Sequence, residues 1–197
     1  MERHPLRAQK GMILDRGFYN RNTVAVARDL LGRVLSHGDA SGVIVETEAY
    51  PGGDDLASHS AAGITNRTRV IFGPPGHAYV YLSYGMHECL NIVVEPEGVA
   101  GCVLIRALEP LSGLDIMRMR RPAAKRDRDL TSGPGRLTQA LGITRKLNGA
   151  DVTQGPLVVR AGVGDPFKTA VSPRIGITKC ADRLLRFSIA GNRFVSR

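Results

Sequence analysis

A chain of 197 residues, 43% hydrophobic and 23% charged, has an ordinary globular composition and the length for one core rather than two. No apolar run approaches the roughly 18 residues of a membrane span, which excludes a helical membrane protein and predicts a soluble one. A formal net charge of +9 points to a polyanionic partner, because surplus cations release counterions from nucleic acid.

Met1 to Lys10 is basic but leads into neither an apolar signal core nor a small-residue cleavage site. Residues 1–11 therefore read as a flexible basic arm ahead of a single domain over 12–197, and the protein as cytoplasmic. Cys89, Cys102 and Cys180 match no zinc spacing and read as buried, reduced thiols.

In chain order, Thr23 to Gly32 has a capping residue before it, apolar Val24, Ala27, Leu30 and Leu31 at helical spacing, and a glycine stop, which predicts a short amphipathic helix. Arg33–Ser36 and Val43–Tyr50 flank a turn-rich stretch and predict a hairpin with a loose loop over 37–42. From Pro51 to Pro75 there is little periodicity, a length of irregular chain that compact domains keep for binding. Ala78–Tyr84 and Cys89–Val94 read as strands of a projecting hairpin with Tyr84 and Met86 near its tip, an unusual pair for a turn. Gly101–Leu108 reads as a strand, Gly113–Arg120 as a helix, and Arg120–Asp129 as a solvated, mobile loop. Ser132-Gly133-Pro134-Gly135 opens a helix through Leu141, whose free amide donors suit a phosphate. Leu157–Arg160, Arg174–Thr178 and Leu184–Ile189 complete the set as short strands. The fold class is α/β, of α+β type: one domain with a curved, mostly antiparallel sheet, short helices and a protruding β-hairpin.

Two alternating runs carry the chemistry. Period-two spacing lines up Ile44, Glu46, Glu48 and Tyr50 on one strand, and puts Tyr79 and Tyr81 on one face of another, with Val80, Leu82 and Tyr84 on the opposite face. Two carboxylates about 7 Å apart suit paired acids in sugar hydrolysis, and rings that stack on a base contribute about 1 to 3 kcal/mol each. His59, Asp54 and Asp55 cluster in the irregular stretch, but the helical histidine pair of a metal site is absent, so no metal or organic cofactor is expected. Arg67, Arg69, Lys125 and Arg136 read as phosphate contacts. These residues fit an enzyme that acts on an extruded base. The alternatives are, first, a base-stacking module without chemistry, in which Glu48 is structural, and second, a hydrolase of free nucleosides.

The pieces VETEAY, SHS, NRTR, FGPPGHAYVYLSYGMHECLNIV, VLIRALEP and SGPGRLTQALGI, in that order over residues 12 to 190, resemble the alkyladenine (3-methylpurine) DNA glycosylase family in its short bacterial form. The resemblance implies a monofunctional, monomeric base-excision repair enzyme whose partner is double-stranded DNA containing damaged purines, with no membrane and no obligate protein partner. By it, Glu48 is the general base that activates water, and Arg106 helps hold that water together with a backbone carbonyl near Arg174 to Ile177. Tyr50, His59 and Tyr81 sandwich and read the flipped base, and Asn91 crowds the exocyclic amine of a normal guanine. Tyr84 is the wedge and Met86 the contact beside it. Glu88 departs from the family pattern, which tends to an aromatic residue there, and sets an acid beside the hairpin tip.

Overall fold

The computed structural model describes residues 11–162 and 166–196. The arm expected over residues 1–11 lies, except for Gly11, outside the described residues. Two helices open the chain, α1 (Arg16–Tyr19) and α2 (Thr23–Asp29). Asn22 caps α2 by accepting from the amides of Val24 and Ala25, and Gly32 at φ 77° ends the turn that follows.

The strands β1 (Val34–His37), β2 (Ala40–Pro51), β3 (Ala78–Ser83), β4 (His87–Val93), β5 (Gly101–Ser112), β6 (Leu157–Arg160), β7 (Thr169–Ser172) and β8 (Arg186–Ile189) form one curled antiparallel sheet. Its order is β3-β4-β5-β2-β1-β6, and β8 joins the same edge of β2 beyond β1, carrying β7 with it. Helices α3 (Leu114–Arg120), α4 (Asp127–Thr131) and α5 (Pro134–Leu141) follow β5.

Alternation assigns each side chain to a face. Val80, Leu90, Ile92, Val103, Ile105 and Ala49 point to the side covered by α2, α3 and α5, where Val26, Leu30, Met117, Leu137 and Leu141 complete the main core. Their strand neighbours Tyr79, Tyr81, Asn91, Leu104, Glu48 and Tyr50 therefore share the other face, which the helices leave open.

The structure departs from the sequence expectations at several places, each with a local cause. Ile44 does not line up with Glu46. The β2–β5 register skips Val45 on one strand and Arg106 on the other, so Ile44 enters the main core while Val45 and Ala107 pack with Phe194. The first hairpin has no loose loop, since His37 pairs with Ala40 across a two-residue turn in which Gly38 takes φ 57°. Strand β3 stops at Ser83, because Tyr84 adopts φ 49° and leaves the pleat. The end of the solvated loop is helical instead: Asp129 accepts from the Arg126 amide at 3.2 Å, and Asp127 pairs with Arg118 at 2.9 Å, which starts α4. The strand expected over 174–178 is absent, and its place in the sheet is taken by β7 upstream. Cys89 and Cys102 are buried as expected, whereas Cys180 is half-exposed.

Candidate active site

The double bulge is what brings an arginine between two acids. Skipping Val45 and Arg106 in the register turns Arg106 and Glu46 to the open face together, beside Glu48. Glu46 and Glu48 both have no exposed surface, but their surroundings differ. Glu46 Oε1 accepts from Arg106 Nε at 3.0 Å, Arg186 Nε at 2.7 Å and Ser196 Oγ at 2.9 Å, while Oε2 accepts from the Ser196 amide at 2.7 Å. That carboxylate is committed to holding the β8 edge and the chain end against β2. Glu48 Oε1 accepts from the Ile175 amide at 2.8 Å and lies 3.2 Å from Arg106 Nη1, whereas Oε2 accepts from the Tyr50 hydroxyl alone, at 2.8 Å. A carboxylate oxygen has two lone-pair positions. Glu48 therefore retains one acceptor position, on Oε2.

Rings converge on the same face. Tyr79 and Tyr81, two apart on β3, stack with centroids 5.4 Å apart. His59 opens a short 3-10 turn capped by Ser58 and meets the Tyr81 ring edge-on at 4.6 Å. Its Nδ1 lies 3.0 Å from the Tyr79 hydroxyl. Burial, reinforced by the Arg67 guanidinium, pushes the His59 pKa below its ordinary value, so the ring is neutral at neutral pH. Burial likewise raises the Tyr50 and Tyr81 hydroxyls well above the phenol range, and the Glu48 carboxylate pushes Tyr50 further. Both stay protonated and Tyr50 remains a donor to Glu48. Asn91, on β4 opposite Tyr79, is 3% exposed; its Nδ2 donates to the Tyr79 carbonyl at 3.3 Å. Tyr50, His59, Arg67, Tyr81, Asn91 and Arg106 line a cleft of about 510 Å³. This is the size and mixed character of a small-molecule pocket.

At the cleft mouth the β3–β4 hairpin projects. Tyr84 and Met86 are 82% and 72% exposed at its turn, an apolar pair that nothing in the chain covers among the described residues.

A family model described as Methylpurine-DNA glycosylase (MPG) matches residues 17–193. The chain belongs to that family. Similar relatives, each named a candidate 3-methyladenine DNA glycosylase, come from Methanoculleus marisnigri (51% identical, covering 94% of this chain and all of that one) and Burkholderia cenocepacia (49%, covering 94% and 92%). A third, from Rhodopseudomonas palustris, is 50% identical over 95% of this chain and 89% of its own. By class, the methylpurine-DNA glycosylases are hydrolases of N-glycosyl bonds.

Beside the cleft of this glycosylase runs a second hollow of about 700 Å³, lined by Arg106, Arg121, Arg126, Arg128, Arg136 and the opening of α5. Close packing makes it possible: a Cβ at Gly135 would lie 2.8 Å from His87 Cβ, so only glycine lets α5 approach β4 here. Arg136 is exposed in that trough and Arg67 overlies the Tyr81 ring at 5.2 Å, at the edge of the cleft. Arg69 is not brought to either hollow; it is exposed and faces Asn66. Glu88 is not a free acid at the tip, since Arg145 pairs with it at 3.1 Å and it is largely covered.

Sequence reasoning missed the partners that close the site from afar. The Ile175 amide donates to Glu48, a contact of that segment separate from the carbonyl expected to hold the water. Asp55 and Asp54 face Arg174 and Arg183 respectively, not His59. Arg186 and Ser196 hold Glu46. No local pattern marks these residues, because each meets its partner across more than a hundred positions of chain.

Proposed function

We propose that this glycosylase extrudes an alkylated or deaminated purine from double-stranded DNA and hydrolyses its N-glycosidic bond with a water activated by Glu48, leaving an abasic site. One observation carries the reading: Glu46 accepts from four donor atoms that tie it to β8 and the chain end, whereas Glu48 accepts from three, and its Oε2 keeps an acceptor position beside Tyr50, which lines the aromatic cleft.

A stacked base cannot be reached inside a duplex, so it must rotate out at a cost of a few kcal/mol. Tyr84 is the side chain placed to fill the vacated stack, with Met86 beside it. The extruded purine enters between Tyr50, His59 and Tyr81, with Asn91 positioned to crowd an exocyclic amine at the purine edge. Purines alkylated at a ring nitrogen, such as 3-methyladenine in DNA, are cationic, and electron-rich faces attract them by about 0.5 to 2 kcal/mol. The neutral state of His59 adds no second positive charge to that of Arg67 at the cleft edge.

Water at Glu48 Oε2 gives its proton to the carboxylate as its oxygen bonds to the anomeric carbon. The glycosidic electron pair departs with the base: a cationic alkylated purine leaves neutral, and a neutral deaminated purine leaves as an anion that takes a proton from solvent water. The Glu48 carboxylate also stabilises the oxocarbenium-like sugar as it develops, while Arg106 fixes that carboxylate and lines the cleft. The cleft lining includes no lysine among the described residues, which supports direct hydrolysis over a Schiff-base route and hence a monofunctional enzyme. The trough arginines bind flanking phosphates, and the enzyme works as a monomer in the cytoplasm, on the nucleoid.

The deciding experiment compares wild type with Glu48→Gln on a duplex carrying a methylated adenine. The variant is expected to bind the duplex normally and to release base at least 100-fold more slowly. Release at the wild-type rate removes Glu48 from the role. Tyr84→Ser should depress release from duplex, and indifference to it would favour action on free nucleosides.

A further inference from the structure

Behind Tyr50 lies a charge pair that the hydrolysis just described does not use. Asp55 and Arg174 have no exposed side-chain surface and meet bidentately, Nη1 to Oδ2 at 2.6 Å and Nη2 to Oδ1 at 2.7 Å. Arg174 also donates to the Ala49 carbonyl at 3.0 Å, and its guanidinium carbon sits 4.5 Å from the centre of the Tyr50 ring. Tyr50 lines the cleft and Arg174 does not, so the guanidinium covers the ring face turned away from the cleft.

We propose that Asp55 determines specificity: by neutralising Arg174 behind Tyr50, it leaves the cleft-side face of that ring free to attract a cationic purine. This inference rests on the glycosylase reading of the cleft. A tyrosine ring gripped on one face by a buried, uncompensated guanidinium is a poor host for a second cation on the other, unlike Tyr81, whose Arg67 is exposed and screened by water. The ion-paired groups around the cleft are balanced as built, Glu46, Glu48 and Asp55 against Arg106, Arg174 and Arg186, and Arg67 at the cleft edge is exposed. Removing the Asp55 charge leaves a net positive charge of the same sign as an alkylated purine, in a setting where water screens it weakly. A neutral damaged purine does not feel that field to first order. The pair thus acts on the choice between charged and uncharged lesions, which a staple between two loops would not do.

The test measures equilibrium binding and single-turnover excision on duplexes carrying 7-methylguanine, which is cationic, or hypoxanthine, which is neutral. Wild type is compared with Asp55→Asn and with Asp55→Asn combined with Arg174→Gln. Asp55→Asn is expected to lower the 7-methylguanine to hypoxanthine ratio about ten-fold. The double variant, neutral again behind the ring and able to form an amide pair, is expected to recover most of that ratio. Equal losses on both duplexes, or a ratio that the double variant fails to recover, overturn the proposal. Where Asp55→Asn does not fold, Arg174→Gln replaces it and leaves an uncompensated acid behind the ring; the ratio must then rise, and an unmoved ratio overturns the proposal. Wild type that releases base from neither duplex sinks the glycosylase reading and this inference with it, whereas the other failures sink the inference alone.

Discussion

The aromatic cleft and the arginine trough adjoin, sharing Ser83, Tyr84, Cys89, Pro134 and Arg106, yet they handle charge in opposite ways. Along the cleft, buried cations are matched to acids in fixed geometry, Arg106 to Glu46 and Glu48, Arg174 to Asp55. In the trough, Arg121, Arg126, Arg128 and Arg136 meet the carboxylate of Asp129 alone among the residues that line it, and the surplus faces solvent. Compensated charge discriminates between ligands by contact. Uncompensated charge attracts a polyanion regardless of what bases it carries. A methylpurine-DNA glycosylase needs both, and this chain keeps them in separate hollows joined at Arg106 and Tyr84.

That separation can be broken experimentally. The largest effect is expected from Tyr81→Ala, which removes a stacking face worth about 1 to 3 kcal/mol and so weakens binding of damaged duplex about 5- to 150-fold, leaving undamaged duplex and the salt dependence of binding unchanged. Titration of both duplexes over a range of salt reads this directly, and a parallel loss on undamaged DNA would merge the two hollows into one. Arg128→Gln combined with Arg136→Gln should do the reverse. Affinity falls about ten-fold for damaged and undamaged duplex alike, and the slope of log affinity against log salt falls by about 0.9 for each phosphate contact removed.

The smallest effect concerns His59. Its pKa is lowered in the fold by burial and then by Arg67, so the folded state takes up this proton less readily than the unfolded chain does. Its contribution to stability is complete above the ordinary histidine pKa of about 6.5 and declines as pH falls from there toward the lower folded value. His59→Gln should therefore show less loss of melting temperature than wild type between pH 7 and pH 5. Identical profiles for the two proteins would mean that the ring is not held neutral.

Much of this organisation was legible in the sequence, and the reason is local. Tyr79 and Tyr81 share a face because two residues of one strand must, and Tyr84 reaches the tip because the Tyr-Gly pair ends the pleat. Strand alternation alone could not separate Glu46 from Glu48, since both have the same parity on β2 and only their distant partners differ; the family resemblance was what singled out Glu48. Nor could it place Ile44, because the paired bulge at Val45 and Arg106 is a property of two strands in register, invisible in either alone. The expected strand over 174–178 failed for a related reason. The Ile175 amide is spent on Glu48, and Gly176 turns to φ 76°, so that backbone has no ladder to join.

The left-handed backbone of Tyr84, φ 49° followed by Gly85 at φ 68°, has its own implication for how this enzyme evolves. A bulky residue in that region costs on the order of 1 to 3 kcal/mol, which the free protein bears before it ever meets a lesion. Selection for thermostability alone would drift this position toward glycine or asparagine, giving a sturdier hairpin with a blunt end. A tyrosine there trades endurance for readiness, and a melting curve that rises in Tyr84→Asn as excision falls would display both sides of it.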